Sequence, residues 1–302
     1  MTLAAPSPLE RLGLLLDADR PAAIRRIASS ARASPGYGTV DVGSGLIRYR
    51  EHGEGDATYV FAADPPIVLE HYDRLLDALS PYGRVVVLEL PGFGFSPVRA
   101  GFDFSMEGVM RAVHLALERL GVAKATLCFP CGSAYLAIAL AARAPGLVES
   151  LLLSQAPSFE GVLGWKRGRD PSGLLARPLF GQCAMHFLKR SRAPMWFAVS
   201  VGKETERGWM LSLTERTLRD GARWSLASAF QRFLVEGGAP PPAPCPVVAL
   251  WGTLDRSHAR TDRESSRSLG PDVRLVQWDD VGHFPDLEEP ERFAALARSL
   301  RS

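Results

Sequence analysis

The chain has 302 residues, enough for one large α/β domain with an insertion, or for two domains, with a sizeable core. Its 35 basic residues nearly cancel its 33 acidic ones, so no global field draws it to nucleic acid or to a membrane. Apolar runs such as Tyr135 to Ala142 are far short of a membrane span, and Asp17 and Asp19 interrupt the stretch from Leu12 to Leu16. The reading is a cytoplasmic protein without a secretory signal.

Residues 1–36 read as an amphipathic helical segment. Leu9, Leu12, Leu15 and Leu16 share a stripe, and Pro21 opens a turn presenting Ile24 and Ile27. This segment is expected to pack on the core or on a partner. Thr39–Val42 and Leu46–Arg50 flank Gly43-Ser44-Gly45 and predict a hairpin. Tyr59–Ala63 and Val85–Leu90 read as buried strands. Ser105 is placed to cap a helix running to Leu120, with Gly121 ending it.

Ala125–Phe129 reads as another strand, broken at Pro130. Cys131–Arg143 is rich in helix formers and stops before Pro145-Gly146. A strand, a tight corner and a helix would lift Cys131 out of the sheet. Val148–Ser154 is a further strand. Residues 157–240 then break the rhythm with helical patterns and many aromatics. The strand patterns resume in Pro244–Gly252 and Val273–Trp278, and Pro290 opens a closing helix with Phe293, Leu296 and Leu300 on one face. This order predicts an α/β fold: a mostly parallel, doubly wound sheet covered on both faces.

Three stretches carry chemistry. Phe129-Pro130-Cys131-Gly132-Ser133 at the corner resembles the nucleophile elbow of the α/β-hydrolase superfamily, with a thiol in place of the usual hydroxyl. Trp251-Gly252-Thr253-Leu254-Asp255 resembles the superfamily's acid turn. Gly282-His283-Phe284-Pro285-Asp286-Leu287-Glu288 resembles the segment that carries its base. Pro91–Ser96, with Glu89 ahead of it, matches a further superfamily segment. The resemblance covers residues 38–156 and 241–302. It implies a core of 37–156 and 241–302, an inserted helical lid at 157–240, and a Cys131–His283–Asp255 triad in the nucleophile, acid, base order of the superfamily. Trp165, Phe187, Trp196 and Trp209 are then expected to roof a pocket.

The residues themselves support that chemistry. A thiol becomes a strong nucleophile only as thiolate, which needs a nearby imidazole or a helix N-terminus. Cys131 starts a helix, and His283 and Asp255 both follow strands at the same end of the sheet, where open α/β sheets carry their sites. Two departures from the resemblance matter. Phe129 stands where a small residue relieves the elbow, with an expected strain of order 1–3 kcal/mol or an altered corner. The oxyanion donors should be the Gly132 N–H, beside Pro130, and a group after the third strand. There the chain has Ala62-Ala63-Asp64-Pro65-Pro66, with a carboxylate or an N–H-free proline in the donor's place.

Ser133 is an alternative nucleophile. Cys128-Phe129-Pro130-Cys131 matches C-x-x-C, but three extended steps separate the Cα atoms by roughly 10 Å, beyond the roughly 7 Å limit for a disulfide. No Cys/His pairing suits a metal, and no cofactor is implied, since no phosphate-cradling glycine loop is present. The expected activity is covalent acyl chemistry, as thioesterase, esterase or acyltransferase, on an apolar acyl substrate bound to CoA or a carrier protein. The runs Lys166–Arg169 and Lys189–Arg192 read as solvated surface, or as a site for a carrier's phosphate or acidic face. Two alternatives stay open. One is a lyase, isomerase or cyclase using His283 and Asp64 as acid and base; the other is a silent binding protein. His52, His71, His114, His186 and His258 read as structural, with His258 close to Asp255.

Overall fold

A computed structural model describes residues 5–31 and 36–301; positions 1–4 and 32–35 of the N-terminal segment, and residue 302, lie outside them. Helices α1 (Pro8–Asp17) and α2 (Pro21–Ala31) lead into β1 (Tyr37–Asp41) and β2 (Leu46–His52), the expected hairpin. The core continues through β3 (Thr58–Ala63), α3 (Asp73–Leu79), β4 (Arg84–Glu89), the two-residue β5 (Phe93–Gly94), α4 (Met106–Arg119), β6 (Ala125–Pro130), α5 (Cys131–Arg143) and β7 (Val148–Ser154). Helices α6 (Phe159–Arg169), α7 (Phe180–Ser200) and α8 (Glu204–Arg219), the short β8 (Arg223–Trp224) and α9 (Leu226–Arg232) come next. The chain closes with β9 (Val247–Gly252), β10 (Val273–Trp278), α10 (Pro285–Glu288) and α11 (Pro290–Arg298).

The main sheet runs β1-β2-β4-β3-β6-β7-β9-β10. Only β1 and β2 are antiparallel to their neighbours; every pairing from β4 to β10 is parallel. A parallel sheet must be covered on both faces, and strand residues divide accordingly with period two. Leu127 and Phe129 of β6 join Val60, Val86 and the α4–α5 side chains in one core cluster. Cys128 joins Phe61, Val87 and Phe293 in the other. Cys128 and Cys131 therefore serve different surroundings, and all four cysteines are free.

α1 departs from the expectation. It docks on the inserted helices through Gly13 and Leu14, where a side chain at Gly13 would meet Gln182 and the Leu179 backbone. Leu9, Leu12, Leu15 and Leu16 instead remain more than half exposed, because the small face at Gly13 allows the closer approach. Among the described residues no helix is long and apolar enough to cross a membrane.

Ser105 caps α4 as its sequence implies, its hydroxyl accepting from the Gly108 N–H at 3.0 Å. Ser105→Ala should lower unfolding stability by about 1 kcal/mol, read as a lower urea midpoint with an unchanged denaturant slope.

Candidate active site

β6 stays extended to Pro130 (ψ 159°), and Cys131 turns sharply into α5 with φ 48°. That left-handed conformation is unfavourable for a residue with a Cβ, and it points the side chain off the end of the sheet. Phe129 does not abolish the turn. Its ring is fully buried in the core cluster beside β6. Pro130 lends its carbonyl to the corner: the Ser133 hydroxyl donates to it at 2.6 Å, which occupies the alternative nucleophile.

His283, the expected base, comes from the loop after β10. Close packing there requires glycine, since a side chain on Gly282 would fall 2.1 Å from the Ser200 carbonyl, and one on Gly252 2.0 Å from the Gly282 carbonyl. Glu288 ties the loop down, accepting from the N–H groups of Gly282, Phe284 and Gly202. The His283 N–H donates to the Ser200 carbonyl at 2.7 Å. The ring of His283, wholly buried, is thereby delivered between two carboxylates. Nδ1–H donates to Asp255 at 2.6 Å and Nε2–H to Asp64 at 2.9 Å.

Asp255 follows β9, and its second oxygen accepts from the Ser257 N–H. Gln155, at the end of β7, donates from Nε2 to Asp255 at 2.9 Å and also meets the carbonyls of Gly252 and Gly282. Asp64 follows β3, on the far side of β6. The Cys131 sulfur, a His283 nitrogen and an Asp64 oxygen lie within 4.8 Å of one another. The expected triad is thus brought together, with a second carboxylate inserted beside it.

The electrostatics follow from burial and these pairings. Burial alone would push the His283 imidazole down, but Asp255 and then Asp64 outweigh it and hold its pKa well above the ordinary histidine value. Burial raises the Asp255 carboxyl, yet the paired imidazole brings it below the usual value. The Cys131 thiol is pushed up by burial and then by Asp64, with His283 opposing. The resting site therefore holds an imidazolium and a protonated thiol.

His258 belongs to this site rather than to the structural histidines. Its ring stacks on His283 at 5.6 Å and on Trp165 at 5.0 Å, while Trp196 meets His283 edge-on at 5.1 Å. Burial lowers the His258 pKa to about 3, so this neighbour stays neutral beside the imidazolium. His71 is structural: buried, it receives the Val68 N–H on Nδ1 and donates from Nε2 to the Met210 carbonyl, pinning α8.

A cavity of about 360 Å³ opens above Cys131, and Asp64 and Gly132 also line it. Its walls are mainly apolar, with Leu90, Phe93, Trp165, Trp196 and Phe230 among them. Two expected roof residues are elsewhere. Phe187 is 79% exposed, because it lies nine positions from Trp196 on α7, about half a turn around the helix. Trp209 packs on His71 and donates to Glu206, since α8 lies behind α7. Pro130 shapes the corner but does not reach the cavity wall. Gln155, His258 and Glu288 were not singled out as site residues. A polar residue directly after the apolar strand β7 was the available signal for Gln155.

Two clusters have metal-ligand residue types, Asp64/Cys131/His283 and Asp255/His258/His283. Both depend on His283, whose two nitrogens already act as donors to carboxylates. That chemistry fits a proton carrier better than a metal ligand.

The sequence pattern of the Alpha/beta hydrolase family matches residues 52–296. An uncharacterized hydrolase of Saccharomyces cerevisiae is 22% identical over 263 residues, covering 78% of this chain and 86% of the yeast protein. Among solved structures, an epoxide hydrolase from an endophytic Streptomyces is similar at 16% identity, with TM-score 0.71, covering 89% of this chain and 96% of that one. A thermophilic esterase from Thermogutta terrifontis is similar at 20% identity, with TM-score 0.67 and coverage of 86% and 97%. A haloalkane dehalogenase from Bradyrhizobium elkanii gives 17%, 0.64, 88% and 96%. At these identities the structural likenesses establish the fold alone.

Asp64→Asn should lower the His283 pKa, since one of two carboxylates facing the ring loses its charge; a histidine NMR titration reads the shift. Asp286, buried near Tyr72, has its pKa raised by burial from 3.8 to about 7. The unfolded chain therefore loses this proton first as pH rises from about 4, and the group's stabilisation is lost through pH 7. The full effect is on the order of 4 kcal/mol. Unfolding midpoints at acidic and alkaline pH should show that slope flattened in Asp286→Asn.

Proposed function

The chain belongs to the alpha/beta hydrolase family, and on that footing we propose that it is an acyl-transferring hydrolase with Cys131 as nucleophile and an activated apolar acyl compound, such as a thioester, as substrate. The observation that carries this reading is the convergence of the Cys131 sulfur, a His283 nitrogen and an Asp64 oxygen within 4.8 Å, with Cys131 and Asp64 on the wall of an apolar cavity and His283 buried behind them. The left-handed backbone at Cys131 supports it as well, because such strain collects where a side chain must be aimed at a reacting group.

Because His283 rests as imidazolium, the thiol proton goes to the other group in reach, the Asp64 carboxylate. The thiolate then attacks the acyl carbon, forming a carbon–sulfur bond, and the carbonyl electrons move to oxygen. The Gly132 N–H and the now-protonated Asp64 stabilise that oxyanion. His283 gives its Nε2 proton to the departing thiol and becomes neutral. It next takes a proton from water, whose hydroxide attacks the acyl-enzyme. The carboxylic acid is released, and the proton on Asp64 returns to the Cys131 sulfur. Asp255, fixed by Gln155 and Ser257, stabilises the imidazolium on both passages. With a second alcohol or thiol replacing water, the same steps give acyl transfer.

A second reading draws on the hydrogen bond from His283 to Asp64: an acid–base pair performing lyase, isomerase or cyclase chemistry, with Cys131 as a wall. Intact-mass spectrometry after incubation with an octanoyl thioester separates the two. The first requires an octanoyl adduct on Cys131, absent in Cys131→Ala, and slowed by about 10²-fold or more in His283→Ala. Turnover that survives Cys131→Ala would sink it in favour of the second.

A further inference from the structure

The two basic runs of the inserted helices have separate fates. Lys166 is committed to protein, donating to the carbonyls of Phe230 and Leu234. Arg167 faces Glu236 at the surface, and Lys189 donates to the Ala222 carbonyl. Arg169 and Arg192 differ. Both line the cavity above Cys131, both are partly buried, and neither has an ion pair or hydrogen bond to a described residue. The Nε of Arg169 is buried without a partner.

Helical spacing explains how they come to the same cavity. Arg169 follows Trp165 by four residues on α6, and Arg192 precedes Trp196 by four on α7, so each arginine shares a face with its tryptophan. The two indoles meet edge-to-face at 6.1 Å and cover the His258–His283 stack. Each arginine therefore starts from a Cβ roughly 5–6 Å from that of its tryptophan, one helical turn from the aromatic pair that roofs the reacting groups. The one carboxylate on the cavity wall among the described residues, Asp64, is already held by His283. A guanidinium in an apolar wall with no protein anion is costly unless a ligand provides one, and its planar fork suits carboxylate or phosphate.

We propose that Arg169 and Arg192 form a binding site for an anionic group, carboxylate or phosphate, on an otherwise apolar substrate. This deepens the acyl-transfer reading by naming the substrate class, and rests on it only for which part of the substrate reacts. A carboxylate would belong to the acyl chain itself. A phosphate would belong to the thiol carrier of that chain.

The test is equilibrium binding to the full chain, followed by tryptophan fluorescence, with octanoate, octyl phosphate and neutral 1-octanol as probes. At least one anion should bind about tenfold more tightly than octanol. Arg169→Gln/Arg192→Gln should erase that preference while octanol binding persists, and Arg169→Lys/Arg192→Lys should retain most of it. A preference for octanoate alone assigns the anion to the acyl chain, and one for octyl phosphate alone assigns it to the carrier; either supports the site. Equal binding of all three probes to the unsubstituted chain would overturn it, as would an anion preference surviving the double glutamine variant or a parallel loss of octanol binding. No covalent step is involved, so failure to acylate Cys131 would count against the catalytic reading and leave this result intact.

Discussion

One imidazole held between a buried carboxylate, Asp255, and a partly buried one, Asp64, organises this molecule. Asp255 reaches His283 from the end of β9 and Asp64 from the end of β3, with β6 and β7 between those strands. The sheet thus spaces two acids on either side of the elbow, and the ring bridges them. Taking such charges out of water is unfavourable unless each is paired and hydrogen-bonded. That condition explains the surrounding detail: Gln155 and the Ser257 N–H on Asp255, Glu288 collecting three backbone N–H groups, and two glycines that let the loop lie against its neighbours.

The inserted carboxylate changes what the familiar arrangement can do. With an acid only on Nδ1, a neutral ring would present a lone pair to the sulfur. With Asp64 on Nε2 as well, the ring rests fully protonated and the thiol keeps its proton. In the proposed acyl transfer the first proton transfer then belongs to Asp64, and the ring acts later, at the leaving group.

The sequence-based reading reached far into this architecture because its signals were local. The apolar strand runs, the cap at Ser105, the proline at 290 and the strand-corner-helix run around Cys131 depend on neighbours a few residues away, and each element formed where its pattern put it. The three motif segments likewise placed Cys131, Asp255 and His283 in one site. What local pattern could not convey was the direction of side chains across the fold. Phe187 and Trp196 belong to one helix, yet only one faces the cavity. The leucine stripe of α1 looked like its packing face, but Gly13 determines the docking. Gln155 and His258 gain their roles through partners about 100 and 25 residues away, which no short window contains. Asp64 was legible as a disturbed oxyanion turn and as an acid–base candidate, but its bond to His283, 219 positions along the chain, was not.

The last turn of α7 is stitched to the loop that carries His283. The Ser200 carbonyl takes the His283 N–H, and the Gly202 N–H is held by Glu288, the same carboxylate that fixes the loop. Lifting that end of the roof would break both bonds and pull the ring away from its acids. The end of α7 and the His283 loop are therefore fastened together, so the cavity can widen without displacing the ring only away from that fastening, toward the opposite end of α7.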